Sequence, residues 1–255
     1  AVMSMGLFDY AEVFRAAGLA CLVYEHRNFG ASGGEPRFEI DPWQQVADMR
    51  DAISYARTLP GIDAARIGLW GTSYAGGHAL VVAALDRRVR CVVSQVPLVD
   101  GPATLRGWIG DAHWDAMQAR FAAERDARYR GEPPRTTKPA RPGDQTWDWV
   151  LAIGAEGVYP NCITQRSLEL IATYEPARFV ARIAPTPLLM VLATGDTQTP
   201  YAGQLAAFEQ AQAPKRLVRL DGGHYDAYTV AFDEAANAAR DWFVAHLLAP
   251  TSASH

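Results

Sequence analysis

Three side chains of this sequence, Ser73, Asp196 and His224, are of the types needed to open an acyl bond by nucleophilic attack. A serine hydroxyl is a weak nucleophile. It needs a base to take its proton, and the base needs a carboxylate to orient it. Ser73 stands at the apex of Gly71-Thr-Ser73-Tyr-Ala75-Gly-Gly77, just after the apolar run Ile67 to Trp70 and just before the helical run His78 to Leu85. Strand, sharp turn and helix around a serine form a nucleophile elbow. The turn demands small neighbours, because its serine sits at φ > 0 and flanking side chains would collide across it. The pattern here is G-x-S-x-A, with Ala75 where a glycine is more usual.

The other two residues stand at comparable points of the chain. Asp196 lies just past the apolar run Pro187–Ala193, in Gly-Asp196-Thr-Gln-Thr-Pro200. His224 lies just past the run Arg216–Leu220, in Asp-Gly-Gly-His224-Tyr. In an open parallel sheet the carboxyl ends of the strands share one edge, and reacting groups gather there. Asp100, which follows the strand expected at 89–94, is an alternative to Asp196 as the carboxylate.

The elements that must position these groups follow from patterning. Residues 6–17 read as a helix with Leu7, Phe8, Ala11 and Phe14 on one face, stopped by Gly18. Leu19–Tyr24 is a continuous apolar run, as in a parallel strand covered on both faces. The loop 25–34 is glycine-rich but lacks G-x-G-x-x-G and a Walker lysine, so it reads as a structural turn that His26 helps to fix. Asp41-Pro42 starts a helix that carries Trp43, Val46, Met49 and Ile53 inward. His78 is expected to pack on the sheet, His113 to belong to the middle region and His246 to face outward. Asp221 is assigned to holding the histidine loop. A last helix carries Tyr228, Ala231, Phe232, Ala235, Ala239, Trp242, Phe243 and Leu247 on one stripe, and Pro250–His255 reads as a frayed tail.

Alternating strands and helices predict an α/β fold with a mainly parallel sheet. From about Asp100 to Ala184 the alternation stops, and that stretch holds Trp108, Trp114, Trp147 and Trp149. It reads as an inserted helical cap with a proline-rich connector, residues 132–142. The expected organisation is an α/β core over 1–99, a cap over 100–184 and core again over 185–255. The four tryptophans could wall an acyl or alcohol pocket, although aromatic residues in such a stretch more often serve as core.

A chain of 255 residues with 49% hydrophobic content can bury a large core. A net charge of -4 offers no basic footprint for nucleic acid, and no run approaches eighteen uninterrupted apolar residues. The three cysteines, Cys21, Cys91 and Cys162, are odd in number and lack metal-ligand spacing. Two fall in expected buried strands, which suits a reducing, cytoplasmic setting. Neither a cofactor nor a metal is expected.

Four segments carry a resemblance to the α/β-hydrolase superfamily: His26–Gly34, Gly71–Gly77, Gly195–Pro200 and Gly222–Tyr225. The order Ser, Asp, His is that of this superfamily. More narrowly, the chain resembles the dienelactone-hydrolase-like and X-Pro-peptidase-like esterases and the polyketide transferases. The resemblance implies Ser73 as nucleophile, His224 as general base and Asp196 as orienting acid, with the main-chain N–H of Tyr74 in the oxyanion hole. It further implies strands ahead of the first helix, the third ending in a loop that supplies the second oxyanion N–H. Roughly 30–45 residues preceding Ala1 are therefore expected, by fold anatomy. The expected substrate is a small-molecule carboxylic ester or thioester. An acyltransferase using the same triad and a non-catalytic binding protein of the same fold are the rivals.

Overall fold

The structure, a computed structural model, describes residues 5–155 and 157–248. The expected frayed tail and the first four residues lie outside them. In chain order the elements are α1 (Leu7–Ala16), α2 (Pro42–Ala56), β1 (Ile67–Thr72), α3 (Tyr74–Leu85), β2 (Val89–Gln95), α4 (Gly101–Ile109) and α5 (Trp114–Tyr129). There follow β3 (Thr136–Thr137), α6 (Gln145–Ala152), β4 (Ile163–Thr164), α7 (Gln165–Ile171), β5 (Leu188–Ala193), α8 (Tyr201–Gln210), β6 (Lys215–Leu220) and α9 (Phe232–Phe243). None of the described helices is long and apolar enough to cross a membrane.

The chain divides into two compact units. One takes Val23–Asp48, Asp100–Glu175 and the described part of the segment ending at Phe8; the other takes Asp9–Leu22, Met49–Val99 and the described part of the segment from Pro176. The segment 23–48, expected with the first stretch of core, thus groups with 100–175. Hydrogen bonds explain why: Thr164 N–H donates to Phe38 O at 3.1 Å, and Ile40 N–H to Ser167 Oγ at 2.8 Å. Arg166 adds an ion pair to buried Glu39 at 2.6 Å.

The second unit holds the parallel sheet, ordered β1-β2-β5-β6 among the described residues. Its apolar runs predict it well: β5 is buried at every position and β2 at all but Arg90. Helices α1 and α9 pack Tyr10, Phe14, Ala235, Ala239 and Phe243 against Val93, Leu189 and Val191. Fully burying a side chain of the Val, Leu or Phe kind contributes about 1.5–3 kcal/mol, so this face supplies much of the unit's stability. The α1 stripe is rotated from expectation, with Tyr10 and Phe14 buried and Phe8 half exposed. Tyr10 turns inward because its hydroxyl finds the Ala227 carbonyl at 2.5 Å.

Leu19–Tyr24 differs from expectation: it carries no strand, and Cys21 and Leu22 are exposed. Apolar composition marks a segment as fit for a sheet, but a strand exists through its ladder, and no described strand runs beside this one. Cys91 is buried in β2 as expected, and burial pushes its thiol up to about 12.

Helix α3 is apolar all round and buried from Gly76 to Ala84, His78 included. Its C-cap, Asp86, is a buried carboxylate held by the Arg88 guanidinium at 2.5 Å, the Arg88 N–H at 3.1 Å and Arg50 Nε at 3.4 Å. The bond to Arg88 leads in holding this carboxyl down, at about 2 against an ordinary 3.8. A depressed folded-state value stabilises the protein above the ordinary value and ceases to do so as pH falls toward 2. Chemical unfolding at stepped pH is expected to show about 1–2 kcal/mol lost between pH 5 and 2 through this group, the arginines' exposure limiting the figure. Asp86→Asn should remove that part of the acid dependence.

In the first unit, β3 and β4 pair antiparallel, so part of the proline-rich connector is a two-stranded clip. Its glycine-rich loop is structural, as expected. Glu25 accepts the Ala31 N–H at 2.6 Å, Arg37 donates to Gly30 O at 2.7 Å, and His26 and Arg27 both face Asp48. Trp43, expected inward, is half exposed at the start of α2 and stands edge-on to Tyr174 at 5.6 Å.

Candidate active site

Register places the site. Thr72 of β1 pairs with Gln95 of β2, and Gln95 pairs with Val191 of β5. Strands β5 and β6 run on together to Ala193 and Leu220. The carboxyl ends of three strands therefore meet, and the loops leaving them carry Ser73, Asp196 and His224.

Ser73 follows β1 directly and precedes α3. Its backbone lies at φ 55° and ψ −120°, a conformation that costs on the order of 1–3 kcal/mol for a side-chain-bearing residue. Hydrogen bonds on both sides hold it there: Ser73 N–H donates to Gln95 O at 2.8 Å, and Leu98 N–H to Ser73 O at 2.9 Å. The small neighbours are required by contact. A Cβ on Gly71 would stand 2.2 Å from Ala75 O, and one on Gly77 would stand 2.4 Å from Leu98 O. Gly71→Ala is expected to cost about 1–3 kcal/mol, read as a lower urea midpoint, because backbone rather than a yielding side chain blocks the methyl.

The three side chains expected to act together do meet. His224 Nε2 lies 2.9 Å from Ser73 Oγ, and His224 Nδ1 lies 2.8 Å from Asp196 Oδ2. Asp196 and His224 are buried, whereas Ser73 stays partly accessible. Tyr74 is the first residue of α3, so its N–H belongs to the helix terminus, where backbone donors and the helix dipole favour a negative charge.

Asp100 does something else. It caps α4, its Oδ1 accepting the Ala103 N–H at 2.8 Å. Asp221 is exposed, and the histidine loop is held instead by Asp226, whose Oδ2 accepts the Gly223 N–H at 2.7 Å. The reason is geometric. His224–Tyr228 is a short 3-10 helix, and a carboxylate inside it can reach back to the residue that starts it. His246 is half-buried against the Trp242 ring at 4.3 Å rather than facing outward.

Residues that the sequence reading passed over complete the surroundings. Asp196 Oδ1 accepts the N–H groups of Gln198 and Thr199, both at 2.9 Å. Its Oδ2 receives Thr199 Oγ1 at 3.0 Å and Gln204 Nε2 at 2.9 Å. Thr72, beside the elbow, is bonded through Oγ1 to the Tyr228 hydroxyl at 2.5 Å and to Gln95 Nε2 at 3.2 Å. Burial pushes the Tyr228 phenol well above its ordinary value, so it stays protonated. Tyr228 carries both an apolar stripe position and this bond. Thr199 had a signal in its Thr-Pro step ahead of a helix.

The four candidate tryptophans lie in the other unit. Trp108 is exposed on α4, and Trp114 opens α5 with the Arg106 guanidinium 5.5 Å from its ring. Trp147 and Trp149 sit on α6, Trp149 packing against Met5, Val150 and Ala155.

The chain as a whole is similar to several known proteins. The acyltransferase drtE of Aspergillus calidoustus is 31% identical over 83% of this chain and 72% of its own length. A thiohydrolase of Eupenicillium brefeldianum is 30% identical over 95% of this chain and 82% of its own. The solved structure of DcsB in complex with its substrate analogue superposes with a TM-score of 0.84 at 28% identity, covering 96% of this chain and 87% of that one. The fold is that of the α/β-hydrolases, with a mainly parallel sheet flanked by helices. The model of the X-Pro dipeptidyl-peptidase (S15) family matches residues 7–226, and the chain belongs to that family within the α/β-hydrolase superfamily.

Proposed function

We propose that this protein is a serine hydrolase that opens a small-molecule carboxylic ester or thioester through an acyl-enzyme on Ser73. The observation that carries the reading is the continuous relay Ser73 Oγ, His224 Nε2, His224 Nδ1, Asp196 Oδ2, with links of 2.9 and 2.8 Å, at the apex of an elbow. His224 takes the Ser73 proton as Oγ bonds to the carbonyl carbon, and the oxyanion forms beside the Tyr74 N–H. His224 then returns the proton to the leaving alcohol or thiol. Water, deprotonated by His224, attacks the ester and releases the acid and Ser73. Trp108, Trp114, Trp147 and Trp149 are the candidates for contacting the acyl or alcohol group. Cys21, Cys91 and Cys162 are all free thiols, which supports a cytoplasmic setting.

A second reading, transfer of the acyl group to an alcohol or amine in place of water, is favoured by the acyltransferase relative. The two share every step up to the acyl-enzyme. A fluorophosphonate probe followed by peptide mass mapping tests that shared part, with the label expected on Ser73. A folded protein that takes no label would instead fit a binding protein of the same fold. Products formed from a thioester with and without a competing alcohol separate hydrolysis from transfer.

A further inference from the structure

Gln204 is fully buried on α8, and nothing in the relay described above requires it. Its Nε2 lies 2.9 Å from Asp196 Oδ2 and 3.1 Å from Thr199 Oγ1, and it also donates to the Thr199 carbonyl. Flipping the amide would set its oxygen against a carboxylate and a carbonyl, so the acceptors dictate which end faces Asp196. The price is that Gln204 Oε1 is buried with no hydrogen-bond partner among the described residues. The amide is therefore held in this orientation by the bonds that its NH₂ group donates to Asp196 and Thr199.

Thr199 cannot do the same work. Its one hydroxyl proton lies between two acceptors, Val96 O and Asp196 Oδ2, both at 3.0 Å. When that proton goes to Val96, the side-chain donors left on Oδ2 are His224 and Gln204. A carboxylate turns easily about its last torsion. Here one oxygen is held by the backbone N–H groups of Gln198 and Thr199, and the other by an amide that cannot lose its protons.

We propose that Gln204 is a positioning residue of the relay, locking the Asp196 carboxylate so that Oδ2 stays aimed at His224 Nδ1 whether or not the imidazole is charged. The proposal rests on the reading of Ser73 as nucleophile for its kinetic readout, and on the Asp196–His224 bond alone for its spectroscopic one.

The test compares wild type with Gln204→Met, which keeps the volume and removes the donor, and with Gln204→Glu. Fluorophosphonate labelling of Ser73 is followed against pH, His224 Nδ1–H is followed by NMR, and thermal midpoints are recorded. Gln204→Met is expected to slow labelling about 10–100-fold, as misplacing a catalytic carboxylate does. Its Nδ1–H resonance should move, and its midpoint should fall modestly because Asp196 Oδ2 and the Thr199 carbonyl lose a buried donor, so labelling is compared per folded protein. Gln204→Glu sets a second carboxyl beside Oδ2; buried carboxyls in contact share one proton, so an O–H donor to Oδ2 survives at low pH and is lost as pH rises, and labelling should fall away on the alkaline limb where wild type holds its rate. Wild-type rate, limb and resonance in both variants would overturn the proposal, as would a loss of labelling no larger than the loss of folded protein. If wild type itself takes no label, the hydrolase reading fails alone, and the resonance of Gln204→Met decides the positioning role.

Discussion

Ser73→Ala is expected to abolish fluorophosphonate labelling and to lower hydrolysis of an activated ester by about 10⁴–10⁶-fold while leaving the fold intact. The loss is large because alanine supplies no atom to bond the carbonyl carbon, and His224 is left to activate water in a site shaped for an internal nucleophile. The residue of catalysis that survives comes from oxyanion stabilisation and binding. The fold should tolerate the change: Ser73 Oγ is bonded to His224 Nε2 at 2.9 Å, and the bonds that hold the strained backbone come from main-chain N–H and C=O groups. A stability change within about 0.5 kcal/mol is the expected companion, measured by urea unfolding. Undiminished turnover by a folded Ser73→Ala protein would remove the acyl-enzyme reading.

Asp196→Asn is expected to cost about 10⁴-fold in turnover, and the hydrogen bonds around it give the reason. Gln198 and Thr199 present backbone N–H groups at the Oδ1 position. The asparagine carbonyl must face them, which leaves its NH₂ where Oδ2 was, among Gln204 Nε2, Thr199 Oγ1 and His224 Nδ1. An NH₂ group there can bond to the imidazole only if Nδ1 is the bare nitrogen. The proton then sits on Nε2, the atom that must accept the Ser73 proton, and the base is blocked by its own tautomer. The NH₂ also opposes the Gln204 amide donor, so a drop in thermal midpoint should accompany the lost rate. Steady-state turnover together with the His224 ring-nitrogen shifts checks both halves, and wild-type turnover in this variant would reassign the carboxylate.

The two predictions depend on features of unequal visibility. The elbow was legible because its determinants are local: an apolar run, glycines placed where a Cβ would meet backbone at 2.2 to 2.4 Å, and an apolar helix. Asp196 and His224 were legible because each follows an apolar run by a few residues, which in a parallel sheet puts both at one edge. Their clamps were not. Gln204 reads as an ordinary helical residue until α8 is laid against the loop that carries Asp196. On paper the histidine loop falls to Asp221, and only the 3-10 turn after Gly223 gives that role to Asp226. Leu19–Tyr24 has the composition of a strand but no described neighbour to pair with.

What the amino-acid order settled by itself is therefore local: which residue stands at the apex, which runs form β1, β2, β5 and β6, and which side chains have the right chemistry. Tertiary structure decided which of them touch. Ser73 and His224 are 151 positions apart and Asp196 and His224 are 28 apart, and no local preference spans such distances. They meet because parallel pairing in one register brings the strand ends level, and because α8 and the 3-10 turn then close the remaining few ångströms.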